Sequence, residues 1–244
     1  MKLIILAAGK GTRLLPITKS KPKPLVKIKN NKNLLEFQIQ NSIKTNIFDE
    51  IIIITGYLSN KIEKIIENYK SKINIKTIYN PFYDISGPIV SLWVANFLML
   101  NDDFAISNGD TLFKEGFFKQ LKSIEKKGIS IIISKKENIN KDDMEVIINN
   151  NFLEKVSKNK HKENKTSYVS SGFIFVCGKN NRNLFRNQII NRVKNENVND
   201  KTYWHSLLND LNNEGIDINI HEVDYDLWNE IDNKIDLHKT KKFL

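Results

Sequence analysis

The chain begins Met1-Lys-Leu-Ile-Ile-Leu-Ala-Ala-Gly9 and continues Lys10-Gly-Thr-Arg-Leu-Leu-Pro16. The short apolar run is typical of a buried strand in a parallel sheet. Gly11 lacks a Cβ, so that backbone amides of the following loop can approach a phosphate closely. Arg13, and Lys23 a little further on, can supply positive charge. The opening stretch therefore predicts a strand that leads into a phosphate-binding loop.

Composition limits the class of protein and its partners. With 244 residues, 40% of them hydrophobic, the chain can bury a core as a single domain over residues 1–244. The net charge of +10, from 38 basic and 28 acidic residues, favours anionic partners. The lysines are scattered, and there is no dense basic run and no zinc-finger or RNA-recognition signature. We therefore expect no nucleic-acid partner, because the net positive charge is the only feature that would support one.

The lone Cys177 lies in an apolar run, so it is expected in the core and no intrachain disulfide is possible. A reducing, cytoplasmic location fits this usage. The N-terminal apolar stretch is too short for a signal peptide. No run of about 18 apolar residues is present to span a bilayer.

Apolar runs alternate with amphipathic stretches, a pattern typical of βαβ units around a mostly parallel sheet flanked by helices. The strands expected from this pattern are Lys2 to Leu6, Glu50 to Thr55, Ile73 to Tyr79, Phe104 to Ser107 and Ile129 to Ser134. The helices expected between them are Leu34 to Thr45, Ser59 to Tyr69, Ser91 to Leu100 and Gly116 to Lys126. A hairpin and a further strand, Tyr168 to Val176, predict a small β-rich flap at about residues 144–176. A helix beginning at Tyr203-Trp-His205 is expected to pack on that flap.

Two familiar phosphate-binding motifs do not fit the opening loop. A Walker loop requires Ser or Thr directly after the lysine, whereas Gly11 follows Lys10. A dinucleotide fingerprint requires a third glycine or alanine, where Leu14 stands.

The loop instead resembles, residue for residue, the L-A-A-G-x-G-T-R-L-x-P-x-T and P-K-x-L signature of the nucleotidyltransferases that make sugar nucleotides and related activated alcohols. The matching segments are Leu6 to Thr18 and Pro22 to Leu25. The resemblance covers the whole chain and implies a Rossmann-like α/β nucleotidyltransferase fold. It implies that Arg13 and Lys23 are catalytic and hold the phosphates. The loop residues implied to bind the nucleoside triphosphate are Leu6, Ala7, Ala8, Gly9, Gly11 and Thr12.

Asn108-Gly-Asp110 ends the fourth predicted strand. Ligands of open α/β sheets bind outside the carboxyl ends of the strands, so Asp110 would face the same crevice as the loop. An Asp after a Gly is also an ordinary turn residue. N-G-D at this place is similar to the first magnesium ligand of the family. The resemblance implies that Asp110 binds metal and acceptor, and that Asn108 binds nucleotide.

The segment from Trp228 to Leu237 resembles the late family motif W-x-E-I-D-x-x-x-D-L. The resemblance makes Asp232 the second magnesium ligand. Asp224 and Asp226 are nearby competitors, whereas Asp236 is expected to be an acid in the first turn of a helix.

The phosphate loop, its two cations and the two expected metal ligands together suit nucleotidyl transfer. In nucleotidyl transfer an anionic acceptor attacks the α-phosphorus of a triphosphate, and catalysis is mostly positioning and neutralisation of charge. Mg²⁺ is usually held by one or two carboxylates together with substrate phosphates. The expected cofactor is therefore Mg²⁺, and neither a covalent nucleophile nor a general base is required.

The middle of the chain carries Asn80-Pro-Phe-Tyr83 and Ser91-Leu-Trp-Val-Ala95 in place of an acid followed by L-G-T-A-G. These segments resemble the branch that couples CTP to phosphorylated small alcohols or phosphonates, such as phosphocholine, inositol phosphate or aminoethylphosphonate. A later I-S-K-like triplet makes Lys158 a candidate for binding the acceptor phosphate. The chain departs from the branch at Ser170-Ser-Gly172, where an acid with I-G is usual, so the acceptor pocket is expected to differ.

Ser86 and Gly87 also depart from the branch, which usually has T-N there. They are candidates for binding the base or ribose, and a purely structural turn is an equal alternative. The three tryptophans suggest an aromatic cage for a quaternary ammonium. Trp228 is the preferred acceptor-binding candidate because it precedes the expected metal ligand, whereas Trp93 is expected in the core. The four histidines have no metal-ligand spacing, so no zinc site is expected.

The sequence thus predicts a nucleotidyltransferase whose partners are a nucleoside triphosphate, with CTP favoured, and a small phosphorylated acceptor. A sugar-1-phosphate enzyme that uses UTP, GTP or dTTP is the nearest alternative. A binding module without catalysis is another, although the four residues Arg13, Lys23, Asp110 and Asp232 argue against it. A homodimer is compatible with the sequence, and no residue pattern tests it.

Overall fold

The computed structural model describes residues 1–158, 167–195 and 202–243. Its strands are β1 (Lys2–Ala7), β2 (Lys27–Lys29), β3 (Lys32–Asn33), β4 (Glu50–Thr55), β5 (Asn74–Tyr79), β6 (Phe104–Asn108), β7 (Thr111–Phe113), β8 (Ile129–Lys136), β9 (Met144–Asn149), β10 (Phe152–Lys158), β11 (Ser167–Val176), β12 (Ile218–Glu222) and β13 (Trp228–Glu230). Its helices are α1 (Leu34–Thr45), α2 (Ser59–Ile66), α3 (Pro88–Val94), α4 (Glu115–Ser123), α5 (Lys179–Asn195), α6 (Ser206–Asn213) and α7 (Lys234–Phe243).

Across the described residues, one mixed sheet runs in the order β5-β4-β1-β6-β11-β8-β12-β10-β9. The strands β5, β4, β1 and β6 are parallel, because helices cross over between them. β11 is antiparallel to both β6 and β8. The predicted α/β fold with a mixed sheet is confirmed, and its parallel pairs concentrate on the half that contains β1.

Helices cover both faces of the sheet. The side chains of β1 alternate, so that Leu3 and Ile5 share one core cluster with Phe117 of α4, while Ile4 lies on the other face in a cluster with Leu92 of α3. Every residue of β4 is buried, as expected for a strand covered on both sides. This packing leaves the carboxyl edge of the parallel strands open for a site. No helix in the described ranges has both the length and the apolar character needed to cross a bilayer.

The region predicted as a flap divides into two parts. β11 is a central strand rather than part of a flap, because the apolar run from Phe173 to Val176 is buried between β6 and β8. The hairpin of β9 and β10 lies at the sheet edge, and α6 packs against it through Asn209, whose side chain bonds both the amide and the carbonyl of Val156 at 2.8 Å. Residues 159–166 of the predicted flap lie outside the described ranges.

Several elements carry no clear signal in the sequence. α5 is polar over most of its length and buries only Phe185, Gln188 and Ile189, so its apolar periodicity is weak. The helix expected at residues 91–100 begins earlier, because Gly87 and Pro88 provide a start, and it ends at Val94. β7 and β13 are three-residue strands that, among the residues the structure describes, pair only with each other. The pairing of β7 with β13 brings the segment before β7 and the segment after β13 together at the candidate site.

Candidate active site

The loop after β1 leaves the sheet between β4 and β6, at its carboxyl edge. Gly11 adopts a left-handed backbone, with φ at 63°, and a Cβ there would lie 2.9 Å from the Cβ of Lys23. Thr18 donates a hydrogen bond from its hydroxyl to the Gly11 carbonyl at 2.9 Å. Gly11 therefore lets the loop fold back onto Lys23, and the close approach of its amides to a phosphate stays a prediction.

Two adjoining cavities, each of about 430 Å³, lie along this loop. The loop cavity is lined by the opening loop and by Ser86 and Gly87. The carboxylate cavity is lined by the loop, by Lys23 and by Asp110 and Asp232. Of the residues predicted to bind nucleotide, the structure places these along the cavities: Leu6, Ala8, Gly9, Gly11, Thr12, Ser86, Gly87 and Asn108. Ala7 is 2% exposed and lines a smaller recess beside them.

Lys23 joins the two acids that the sequence predicts as metal ligands. Its Nζ lies 2.7 Å from an Asp110 carboxylate oxygen and 2.8 Å from one of Asp232. Burial of Lys23 by itself lowers the pKa of its ammonium, but the two carboxylates outweigh burial and the pKa is raised. Lys23 therefore stays protonated and holds both carboxylates at the cavity.

The backbone brings Asp110 and Asp232 together from distant parts of the chain. The amide of Ile231 donates to the Asp110 carbonyl at 3.1 Å, next to the antiparallel pairing of β13 with β7. The side chain of Gln38, from α1, donates to the carbonyls of Asn108 and Thr111 on either side of the turn. A short sheet and a buried amide therefore fix the turn that carries Asp110.

Glu230 is a third acid of this group, and the sequence analysis gave it no role. Carboxylate oxygens of Asp110, Glu230 and Asp232 lie within 4.8 Å of one another. Burial, followed by the negative charges of Asp110 and Asp232, raises the pKa of Glu230 well above its ordinary value. The late motif contains Glu230, but its place beside Asp110 depends on the pairing of β13 with β7, which the local sequence does not show. Three oxygen ligands in one place fit a hard divalent cation such as Mg²⁺.

Arg13 and Lys158 lie at the cavity as well, and one acid connects them. Arg13 pairs with Asp232 at 2.9 Å and approaches Asp142 at 3.5 Å. Lys158 pairs with Asp142 at 3.0 Å. Burial lowers the pKa of Lys158, but Tyr203 and Asp142 outweigh that effect and raise it. The structure thus brings Arg13 and Lys158, together with Lys23, to the same cavity.

Trp228 does not lie where an acceptor cage would require it. It is 5% exposed, belongs to a core cluster, and donates from Nε1 to the Ser134 hydroxyl at 2.7 Å. Its ring also packs edge-on against Tyr225. Because the ring packs in the core and lines neither of the two cavities along the loop, we do not retain Trp228 as an acceptor-binding residue.

The segment Tyr203-Trp-His205 forms a wall of the carboxylate cavity instead. Trp204 donates from Nε1 to the Asn108 side-chain oxygen at 2.9 Å, which fastens this wall to the end of β6. Gly172 of β11 makes room for that contact, since a Cβ on it would lie 2.5 Å from the Asn108 amide nitrogen. The side chain of Asn108, predicted to bind nucleotide, is thus occupied in part by Trp204.

Comparison with known proteins agrees with this geometry. A model of the nucleotidyl transferase family matches residues 2–175. The chain belongs to the nucleotidyl transferase family. The matched range holds the loop, Lys23 and Asp110, whereas Glu230 and Asp232 lie beyond it and reach the site through the pairing of β13 with β7.

Two curated relatives are similar in sequence to part of this chain. Choline-phosphate cytidylyltransferase of Streptococcus pneumoniae is 37% identical over 121 residues, which are 50% of this chain and 50% of the relative. The bifunctional protein GlmU of Methanococcus maripaludis is 40% identical over 115 residues, 47% of this chain and 26% of the relative. The chain thus spans half or less of the length of these relatives.

A solved structure extends the likeness to the whole nucleotidyl transferase chain. The CTP:phosphocholine cytidylyltransferase of Streptococcus pneumoniae superposes with a TM-score of 0.80 and 26% identity, over 99% of this chain and 97% of that one. The resemblance to cytidylyltransferases stated from the sequence is therefore confirmed.

Proposed function

We propose that this protein is a Mg²⁺-dependent nucleotidyltransferase that joins CTP to a phosphorylated small alcohol or phosphonate and releases pyrophosphate. The observation that carries the proposal is the convergence of the phosphate loop and three carboxylates on one cavity, with Lys23 bonded to both Asp110 and Asp232. The cytidylyltransferase relatives support CTP as the donor. A cytoplasmic location and a homodimer remain predictions from the sequence.

In the proposed reaction an oxygen of the acceptor phosphate attacks the α-phosphorus of the triphosphate. A new P–O bond forms, the bond from the α-phosphorus to the bridging oxygen breaks, and pyrophosphate leaves with the electron pair. Lys23 is buried beside this point, and its fixed charge stabilises the oxygens on which charge develops. Arg13 offers a planar guanidinium to the leaving pyrophosphate.

Asp110 and Asp232, with Glu230 beside them, would hold Mg²⁺, which when bound neutralises charge on the triphosphate. The acceptor phosphate is already ionised at neutral pH, so no side chain has to remove a proton from it. Positioning and neutralisation of charge therefore account for the chemistry.

Pyrophosphate release tests the proposal directly. The purified protein is incubated with Mg²⁺, each of five nucleoside triphosphates and a panel of phosphorylated alcohols, phosphonates and sugar 1-phosphates. We expect release only with an acceptor present, with CTP preferred, and loss of release when EDTA is added. Magnesium-independent release, or none with any pair of substrates, would contradict the proposal. Preference for UTP, GTP or dTTP with a sugar 1-phosphate would instead favour the alternative enzyme of the same class.

Binding of the donor can be measured without turnover. A ligand that binds the native state raises its melting temperature. We expect CTP with Mg²⁺ to raise it more than UTP, GTP, ATP or dTTP at the same concentration. An equal shift for all five would remove the support for CTP.

A further inference from the structure

His205 is a deeply buried residue that lines the carboxylate cavity, and no role has been given to it so far. It is 3% exposed. Its ring stacks on Trp204, with 3.9 Å between the ring centroids and 21° between the planes. Its Nε2 lies 3.1 Å from the hydroxyl of Ser170. The position of the ring is therefore fixed on two sides.

The hydrogen bonds around Ser170 indicate where the His205 proton lies. The Ser170 hydroxyl oxygen accepts from the Gly172 amide at 3.1 Å, and its own proton has no other acceptor among the described residues. All protons are satisfied when the Ser170 hydroxyl donates to Nε2, which leaves the imidazole proton on Nδ1. Burial lowers the pKa of His205 to about 3, so the ring is neutral at the pH of a cell.

Nδ1 has no protein partner within the described ranges. It is also absent from the buried unpaired polar atoms there, so it is not sealed from the cavity that His205 lines. A donor that the protein leaves unpaired but accessible can bond a group that occupies the cavity. His205 therefore presents one oriented N–H to whatever occupies the cavity.

The aromatic rings of the same wall are not free to hold an ammonium group. Trp204 is 2% exposed, with one face stacked on His205. The ammonium of Lys158 lies 4.7 Å from the centre of the Tyr203 ring. A quaternary ammonium needs an open aromatic face, and here it would meet the like charge of Lys158. The wall offers a hydrogen-bond donor rather than a cation cage.

We propose that His205 binds the acceptor by donating a hydrogen bond from Nδ1 to an oxygen on its alcohol part. The acceptor is then a phosphorylated polyhydroxy alcohol and not an ammonium alcohol such as phosphocholine. The inference rests on the proposed function, because it names the acceptor class of that same site. It also gives a physical meaning to Ser170, which stands where an acid is usual in the resembling branch and here orients His205.

Acceptor kinetics with CTP and Mg²⁺ test the inference. The probes are inositol 1-phosphate and glycerol 3-phosphate on one side, and phosphocholine and phosphoethanolamine on the other. We expect kcat/KM to be higher by about tenfold or more for the hydroxyl-bearing pair, which corresponds to about one well-made hydrogen bond. Higher kcat/KM for phosphocholine would overturn the proposal.

Variants separate binding from a structural role. His205→Leu keeps an apolar ring-sized volume without a donor, and His205→Gln restores an N–H. We expect His205→Leu to raise KM for the hydroxyl-bearing acceptors about tenfold, with kcat and the melting shift caused by CTP unchanged. His205→Gln should recover part of the loss. His221→Leu, a partly buried histidine of β12 outside the cavities, is the matched control. An unchanged KM in His205→Leu would refute the role of His205.

Failure of the proposed function can be distinguished from failure of the inference about His205. If no acceptor yields pyrophosphate, that function is wrong, and the inference is then judged by binding alone. The melting temperature is measured with inositol 1-phosphate or phosphocholine in the presence of CTP and Mg²⁺. A larger shift with inositol 1-phosphate that is lost in His205→Leu supports the inference, and an equal or smaller shift contradicts it.

Discussion

The loop after β1 and the wall at residues 203–205 line the same cavity, but they reach it by different routes. The loop continues from a central strand, and its shape follows from backbone geometry, with Gly11 folded onto Lys23. The wall is held by side chains, through the bonds of Trp204 to Asn108 and of His205 to Ser170. In the nucleotide half the loop is thus shaped by local backbone geometry, whereas the acceptor half depends on side-chain contacts between distant segments.

The difference suggests how each half responds to substitution. A change in the nucleotide half removes a charge or a backbone conformation that has no substitute nearby. A change in the acceptor half alters which group the cavity binds and how firmly the wall is held. The three predictions below separate these outcomes, beginning with the largest effect.

Asp110→Asn and Asp232→Asn test the nucleotide half. Each removes one carboxylate from the cluster and one partner of Lys23, while the side-chain volume is kept. We expect turnover to fall by about a hundredfold or more, the size seen when one fixed electrostatic group is lost from an active site. Pyrophosphate release measures the effect, and Asp226→Asn, an exposed acid of the same region, is the control. Near-normal turnover in either variant would remove that residue from the site.

Gly172→Ala tests the contact that fastens the acceptor wall. The new Cβ would lie 2.5 Å from the Asn108 amide at a backbone φ of 73°. Gly215→Ala is a matched control, because its φ is 82° but no atom lies within 4 Å of the added carbon. The left-handed conformation costs each variant about 1–2 kcal/mol, and overpacking adds about 1–3 kcal/mol at Gly172 alone. Denaturant unfolding measures the free energy of unfolding of both variants. An equal decrease in the two would contradict the expected steric clash at Gly172.

The burial of His205 predicts that the free energy of unfolding falls as the pH becomes acidic. Its pKa is about 3 in the folded protein against 6.5 ordinarily, so the unfolded chain binds the extra proton. The contribution to stability is complete above pH 6.5 and is lost as the pH falls toward 3. Between pH 7 and pH 5 this group should cost the wild type about 2 kcal/mol that His205→Leu does not lose. Unfolding curves at both pH values check it, with His238→Leu on α7 as control; equal losses in wild type and His205→Leu would refute it.

The comparison also explains what could be predicted from the sequence. α1 and β4 have the bounds expected of them, since periodicity and burial both act over a few residues. The loop and the two acids could be recognised because each stands in a short motif that resembles one of the nucleotidyltransferase family. Glu230 stands within the late motif yet was given no role, because its approach to Asp110 depends on the pairing of β13 with β7.

The acceptor half could not be derived in the same way. Trp228 and Trp204 are equally aromatic in the sequence and both belong to core clusters, and only the packing shows that Trp204 also lines the carboxylate cavity and bonds Asn108. β11 was assigned to a flap because its neighbours read as a hairpin, and its pairing with β6 and β8 depends on the rest of the sheet. Such pairings join residues far apart in the chain, so local patterns do not encode them.

The pairing of β13 with β7 has a consequence for the order in which the site is made. Lys23 and Asp232, which touch in the folded protein, are separated by 209 positions along the chain. A ribosome that adds about 5–20 residues per second exposes the first roughly 10 to 40 s before the second. During that interval a nascent chain has its phosphate loop but lacks two of its three clustered acids. Glu230 and Asp232 therefore join the site only after every strand of the nine-stranded sheet has been synthesised.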